Sequence, residues 1–570
     1  MLRDRKSLLI VLAALTAIAG CAGPSLSTTG SVAAPPGVES RSGPKRVTVA
    51  IPGNPFVLNE AINDAGPGGI RGVPEVEKLI NAGLVIRDGD GNLQPQLAET
   101  VPNLDYGTWR VLDGGRMETT WTIRQGAQWH DGTPVTTADL AFTLQAGQDK
   151  DLALLSYPGY KSIEGIDIVD DRTATVRWRE PFIAADTLFS HEFALPMPRH
   201  LLEQPYLTDK SAFVSLPFWT TDYVGSGPFK LREFVRDSSM VVDAFDPYVL
   251  GRPKLDQLEV RFIQDPNALI ASVLAGEVEV TLGRGFNLEQ LTQAAGLWQS
   301  GKMEAKPGSW IAHYPQALTP NPAVLGDARF RRALLQAIDR QQLSDTLQEG
   351  RAPVADSLLE VGDPQYKEIE SSIVRYAFDP RQAMAAIEDL GYAKGSDGFF
   401  TDSNGQRLTI ESRTNVGDDL KEKLLLATAD YWQRIGVGVS TVLVPRQQAD
   451  DREYRATFPG FDLVRQPFDP QRLLSSEAAV PANHFNGKNR TRYMNPELDG
   501  YIDRYLTTIP HTERIQALAG MVHLISDQVV ALGIFYAPEP MLIGNRLVNL
   551  EEPASPVAHA TWNANQWDVR

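Results

Sequence analysis

Eight histidines, at positions 130, 191, 200, 313, 484, 511, 523 and 559, are the side chains here best suited to moving protons or holding a metal, and they are scattered. His191-Glu192 lacks the second histidine, one helical turn on, that a zinc-protease pair needs. Cys21 is the only cysteine, which excludes an internal disulfide and a Cys-x-x-Cys pair. Ser226 lies between Gly225 and Gly227, but no Gly-x-Ser-x-Gly elbow surrounds it, so these residues read as a tight turn. No phosphate-cradling Gly-x-x-x-x-Gly-Lys run and no Gly-x-Gly-x-x-Gly run occurs, so no nucleotide cofactor is implied. Asp and Glu number 71, enough for paired carboxylates by chance, and the sequence by itself pairs none of them. We therefore expect no catalytic residue, metal or cofactor.

At 570 residues the chain is too long for one core, and roughly 150 residues per domain suggests three or four units. The net charge of −17 carries no basic stripe and argues against nucleic acid. Arg3, Arg5 and Lys6 precede an apolar run from Leu8 to Ile18 that is too short to span a bilayer comfortably, and no other run approaches ~20 residues. Residues 1–20 read as a signal peptide. Residues 21–46, rich in Ser, Thr, Gly, Pro and Ala, read as a flexible tether.

The elements that would position any site begin with Thr119 to Leu144. Trp121 and Ile123 alternate with Thr120, Thr122 and Arg124, a half-buried strand. Gly126, Gly132 and Pro134 break it; Thr136 with Asp139 three residues on then forms a capping box that opens a helix. Trp129 and His130 read as packing and turn residues. Further on, 163–168 and 173–178 predict a hairpin, 76–84 a helix, and 330–340 an amphipathic helix. Helices are also predicted at 380–390 and 420–435, the latter between strands 408–412 and 437–444, with a long helical stretch to about 530 and a last apolar strand from 529 to 536.

The Thr119–Leu144 run resembles the signature of family 5 solute-binding proteins, the dipeptide, oligopeptide and nickel class that serves ABC importers. Trp121, Arg124, Gly126, Trp129, His130, Asp131, Gly132, Pro134, Thr136, Asp139 and Phe142 match its spacing. Similar family segments follow in order: Gly225-Ser226-Gly227-Pro228-Phe229-Lys230-Leu231, Asp265-Pro266-Asn267-Ala268, and Arg331 to Arg340. The stretch Ile18-Ala19-Gly20-Cys21 likewise resembles a bacterial lipobox, with Cys21 as the lipidated residue; an ordinary signal peptide with an incidental cysteine is the plainer alternative.

The resemblance implies a mixed α/β, two-lobed clamp of the periplasmic-binding-protein type II kind with an extra inserted domain. Lobe I would comprise 47–85, 195–300 and 535–570, the inserted domain 86–194, and lobe II 301–534. It also implies a monomeric extracytoplasmic receptor, anchored to the membrane by lipid, that binds a small molecule or peptide and presents it to ABC permease subunits. A surface lipoprotein that senses or binds a protein partner on the same fold is the alternative.

Peptide-binding relatives carry roughly Trp-x-x-Asp-Tyr-x-Asp-Pro where this chain has Leu463 to Pro470, and their first Asp anchors the peptide's ammonium. Setting Asp469-Pro470 on the final Asp-Pro puts Gln466 at the anchor. Gln is neutral and offsets an ammonium's desolvation poorly, and Arg465 adds positive charge beside it. We expect a carboxylate, a sugar-like group or another polar neutral group to be recognised here, with Phe468 and Asp469 nearby; a carboxylate from another loop is the competing reading. Trp310, Tyr314 and Tyr536 are candidate aromatic walls that suit core packing equally well. Arg71 and Val73 are candidates from a cleft loop.

Overall fold

Two long strands, Gly301–Pro315 and Leu532–Gly544, run antiparallel through the middle of a ten-stranded sheet. The computed structural model describes residues 43–63, 70–155, 158–449, 451–550 and 552–570, so the leader, Cys21, most of the tether and part of the glycine-rich loop before Arg71 lie outside the described residues. On one side of the long pair lie Phe461–Gln466, Thr409–Asn415 and Gly438–Val444, in that order. On the other lie Val280–Thr281, Arg46–Ile51, Gln257–Phe262, Ser239–Ala244 and Phe229–Val235.

All 13 residues of Leu532–Gly544 are buried. The strand starts after the predicted Val529 and runs well past Tyr536, through Pro538 and Pro540. Proline has no N–H to give a ladder, which is why the apolar pattern predicts a strand only as far as Tyr536. In the structure Pro538 faces Pro307 on the other long strand, and the register slips between Pro307 and Trp310. The hydrogen-bonded ladder is weakest at this midpoint.

Apolar side chains collect into separate cores on either side of that midpoint. One holds Val49, Ile51, Leu79, Phe229 and Val260; another holds Ile311, Phe330, Leu334, Trp432 and Phe461. A third forms over a four-stranded sheet, Trp109–Val111, Met117–Thr122, Thr173–Trp178 and Ile163–Ile168, around Trp121, Trp129 and Trp178. A fourth lies under the helices Pro496–Thr507 and His511–Asp527.

The expected strand and capped helix in Thr119–Leu144 are present as Met117–Thr122 and Thr137–Gly147. Asp139 accepts hydrogen bonds from the backbone N–H groups of Thr136 (2.8 Å) and Arg199 (2.8 Å). His130 is buried, its Nδ1 accepts from Gly225 N–H (3.2 Å), and its Nε2 donates to the Gly227 carbonyl (3.1 Å). The signature thus clips the small sheet to the turn that starts a strand of the large one. Ser226, also buried, donates through Oγ to Asn81 Oδ1 (3.0 Å), a turn contact.

Three helix expectations change. The helix expected at 76–84 is Val73–Ile80, because Pro74 suits a first turn and Asn81 is already extended. The 330–340 helix is two, Ala328–Gln336 and Arg340–Gln348, because Asp339 caps the second by accepting from Gln342 N–H (2.9 Å). The last long stretch is likewise divided, with Pro510 at the start of His511–Asp527.

Candidate functional site

A cavity of about 700 Å³ opens where the two long strands lose their ladder. Pro538 and Glu539 of the second strand form part of its wall, together with Arg71, Arg284 and Phe286 from one half of the sheet's surroundings and Ser309, Lys423 and Arg465 from the other. Its size suits a small solute, within the usual few hundred to ~1,000 Å³ of ligand sites.

A polar relay crosses this cavity. Arg465 Nη1 meets Glu539 Oε1 at 3.3 Å, and Glu539 Oε2 accepts from Gly285 N–H at 3.1 Å. The Gly285 carbonyl in turn accepts from Arg71 Nη1 at 3.1 Å. Gly285 has φ +82°, a backbone angle that favours glycine, and a Cβ there would come within 3.1 Å of the Arg71 side chain, which would have to shift slightly. A Cβ on Gly308 would lie 2.5 Å from Glu539 Cγ, so that glycine makes room for the Glu539 side chain.

The lining acids are all engaged. Glu289 and Asp419 both face Lys423 Nζ, at 3.5 and 2.9 Å. Asp418 caps the helix Asp419–Arg434 by accepting from Lys421 N–H (3.2 Å) and lies 3.6 Å from Lys421 Nζ. The cations are less committed. Arg284 is exposed and makes no ion pair within 4.0 Å among the described residues, and Arg465 Nε is buried without a hydrogen-bond partner.

Behind the cavity lies a set of buried ionisable groups. Lys306, opposite Glu539 in the ladder, donates to the Ala558 carbonyl (3.0 Å) and lies 3.5 Å from Glu552. Burial raises the Glu552 carboxyl to about 7 against the pull of Lys306. Burial, reinforced by Asp363, raises Glu360 to about 8. Glu75 is held at about 2: burial pushes it up, but the hydrogen bond from His559 (3.1 Å) and the charges of Arg284 and Lys78 prevail. Burial keeps His559 neutral, at about 3.

Of the residues singled out from the sequence, Arg71 and Arg465 are brought together at this cavity. Gln466 is not with them, because successive residues of the strand Phe461–Gln466 point to opposite faces. Gln466 and Asp469 line a separate space of about 20 Å³ with Trp310 and Tyr314. Asp469 caps a short turn by accepting from Gln471 N–H (3.1 Å), and Phe468 packs edge-on to Tyr505. Trp310, Tyr314 and Tyr536 lie in the fourth core, where the Tyr536 hydroxyl faces the carbonyls of Ser357 (2.7 Å) and Leu359 (2.8 Å). Val73 is buried at the start of its helix.

Sequence reasoning missed Arg284, Glu539 and Lys423. Arg284 lies between Gly283 and Gly285, and Glu539 between two prolines inside an apolar run. A charge in such a setting is a signal that it serves something other than the core.

A mixed α/β fold with a polar cavity lined from both sides of its long strand pair is the architecture of a cleft-type binding protein. The chain belongs to the bacterial extracellular solute-binding proteins, family 5, whose model matches residues 92–474. It is 22% identical over 515 residues to the oligopeptide-binding protein AppA of Bacillus subtilis, covering 87% of each chain. It is 24% identical over 510 residues to the periplasmic oligopeptide-binding protein OppA of Haemophilus influenzae, covering 84% of this chain and 86% of that protein. Among solved structures, it resembles the oligopeptide-binding protein of Thermus thermophilus complexed with a pentapeptide (TM-score 0.68, 22% identity, 93% of this chain and 97% of that one). It also resembles NikA of Brucella suis in complex with Fe(III)-EDTA (TM-score 0.71, 18% identity, 92% and 100%). Among the described residues no helix is long and apolar enough to cross a membrane.

Proposed function

We propose that this protein is the receptor of an ABC importer, capturing a small solute in the 700 Å³ cavity and presenting it, unaltered, to permease subunits. The observation that carries this reading is the position of the cavity. It lies at the midpoint of the two longest strands among the described residues, where opposed prolines and a register slip leave the ladder easiest to bend. The domain division belongs to the same proposal: lobe I from 47–85, 195–300 and 535–570, an inserted domain from 86–194 and lobe II from 301–534, with the two long strands as the straps between lobes. The relatives include one described with a pentapeptide and one with Fe(III)-EDTA, so family membership leaves the ligand open.

The protein acts as an extracytoplasmic monomer, in the periplasm or at the outer face of the cell membrane, held to the membrane by lipid on Cys21. A Cys21→Ser variant should leave the membrane fraction for the soluble one; retention in the membrane fraction would remove the anchor from the account. The receptor reading is tested by thermal shift of the purified protein across a broad metabolite library. A binder at 100 times its Kd adds about 2.7 kcal/mol to stability. At least one solute should raise Tm by several degrees, and deleting the gene should abolish uptake of that solute. Normal uptake in the deletion strain would contradict the proposal.

A further inference from the structure

The charges lining the cavity are unequally committed, and the imbalance has a sign. Glu289 and Asp419 are held by Lys423, Asp418 by a helix start and Lys421, and Glu539 by Arg465 and Gly285 N–H. Each of these carboxylates already faces a cation or an N–H group, with Glu289 and Asp419 sharing Lys423 at the exposed rim. The donors are different. Arg284 has no ion pair among the described residues, Arg71 gives one N–H to a carbonyl, and Arg465 keeps a buried Nε–H without an acceptor. Two further acids lie within the electrostatic reach of Arg284, Glu75 and Glu360. Glu75 is ionised and accepts a hydrogen bond from the neutral His559 (3.1 Å), its charge offset by Arg284 and Lys78 without a direct ion pair, and burial raises Glu360 to about 8, which keeps it largely protonated at neutral pH. A buried donor without an acceptor is costly, and a guanidinium satisfies that need best with an oxyanion, through two parallel N–H···O bonds.

Resting on the reading of this cavity as the ligand site, we propose that the captured solute is an anion whose carboxylate or phosphate is held by Arg284, Arg71 and Arg465. Glu539 is a positioning residue. It aims Arg465 from two strands away in the sheet and ties the Arg71–Gly285 contact to the same wall. Cationic and neutral solutes are discriminated against, because either leaves the guanidinium donors unanswered.

The test uses the full chain. Solutes released from the purified protein by denaturation are identified by mass spectrometry, and calorimetry is run with succinate, N-acetyl-trialanine, glucose 6-phosphate, trialanine amide, glucose and spermidine. The proposal expects the released solute and the binding members of the panel to carry a carboxylate or a phosphate, the panel telling which of the two. Arg284→Gln and Arg465→Gln should each weaken binding about tenfold or more, the loss expected of a hydrogen bond to a charged group. Both variants should reduce the salt dependence of Kd; Arg284→Gln should leave the melting temperature without solute unchanged, whereas Arg465→Gln, which removes the cation facing the buried Glu539, should lower it. Glu539→Gln should weaken binding less than Arg465→Gln does, as expected of a group acting through another. A released solute that is neutral or cationic overturns the anion assignment and leaves the receptor reading intact. No released solute and no binding by any member of the panel overturns both.

Discussion

Buried histidines and carboxylates give this protein a readable pH signature. Burial lowers His130 to about 4 and His313 and His559 to about 3, against an ordinary 6.5. Below pH 6.5 the unfolded chain takes up protons that the folded chain refuses, so stability is lost as pH falls. Glu360, at about 8, and Glu552, at about 7, act in the opposite sense against an ordinary 4.5. They hold protons in the folded state that the unfolded chain has released, so their contribution is lost as pH rises from about 5 to 8. The melting temperature should therefore peak near pH 6, and Glu360→Gln should flatten the alkaline limb without moving the acid one. A melting temperature still climbing at pH 8 in the unmodified protein would contradict this. These values were not legible in the sequence, since burial of Glu360 and of His313 is set by neighbours far along the chain. Arg465 was legible as a charge beside the displaced anchor position. Arg284 was marked only by its setting between two glycines, which says that it serves something other than the core and not what it faces.

At the scale of elements, the signature run was the most legible part, because each of its residues answers a local demand. Gly126 and Gly132 adopt positive φ, +83° and +90°, Thr136 and Asp139 cap a helix, and Trp129 and His130 fill the space beneath. Asp139 accepts from two backbone N–H groups and from Trp129 Nε1 (3.3 Å). Asp139→Ala should then cost about 2–4 kcal/mol, read as a lower midpoint in urea with unchanged slope, since buried donors would be left unanswered. A loss under ~1 kcal/mol would make the cap incidental. The long strands were less legible. Alternation and apolar runs predict strands through their hydrogen-bonding residues, and a strand containing Pro538 and Pro540 is recognisable only once Pro307 is seen opposite. The divided helices failed for a related reason: apolar periodicity carried on through Asp339, whose side chain restarts the helix.

For the molecule as a whole, an acidic chain of net charge −17 gathers guanidinium groups at one cavity. Contacts between the two sides rim that cavity: Lys423 with Glu289 at 3.5 Å, and Thr292 with Glu349 at 3.4 Å. Each joins the helix Leu288–Leu297 or its neighbourhood to elements of the other half, and such exposed pairs are individually weak, about 0–1 kcal/mol. Weak rim contacts over a bendable pair of strands suit a cleft that must open again. The most direct measurement is a crystal structure of the protein purified from its own cells with its solute retained. The account predicts electron density for a small anion between Arg465 on one side of the cavity and Arg284 on the other. Solute density elsewhere, with both guanidiniums facing only water, would contradict it.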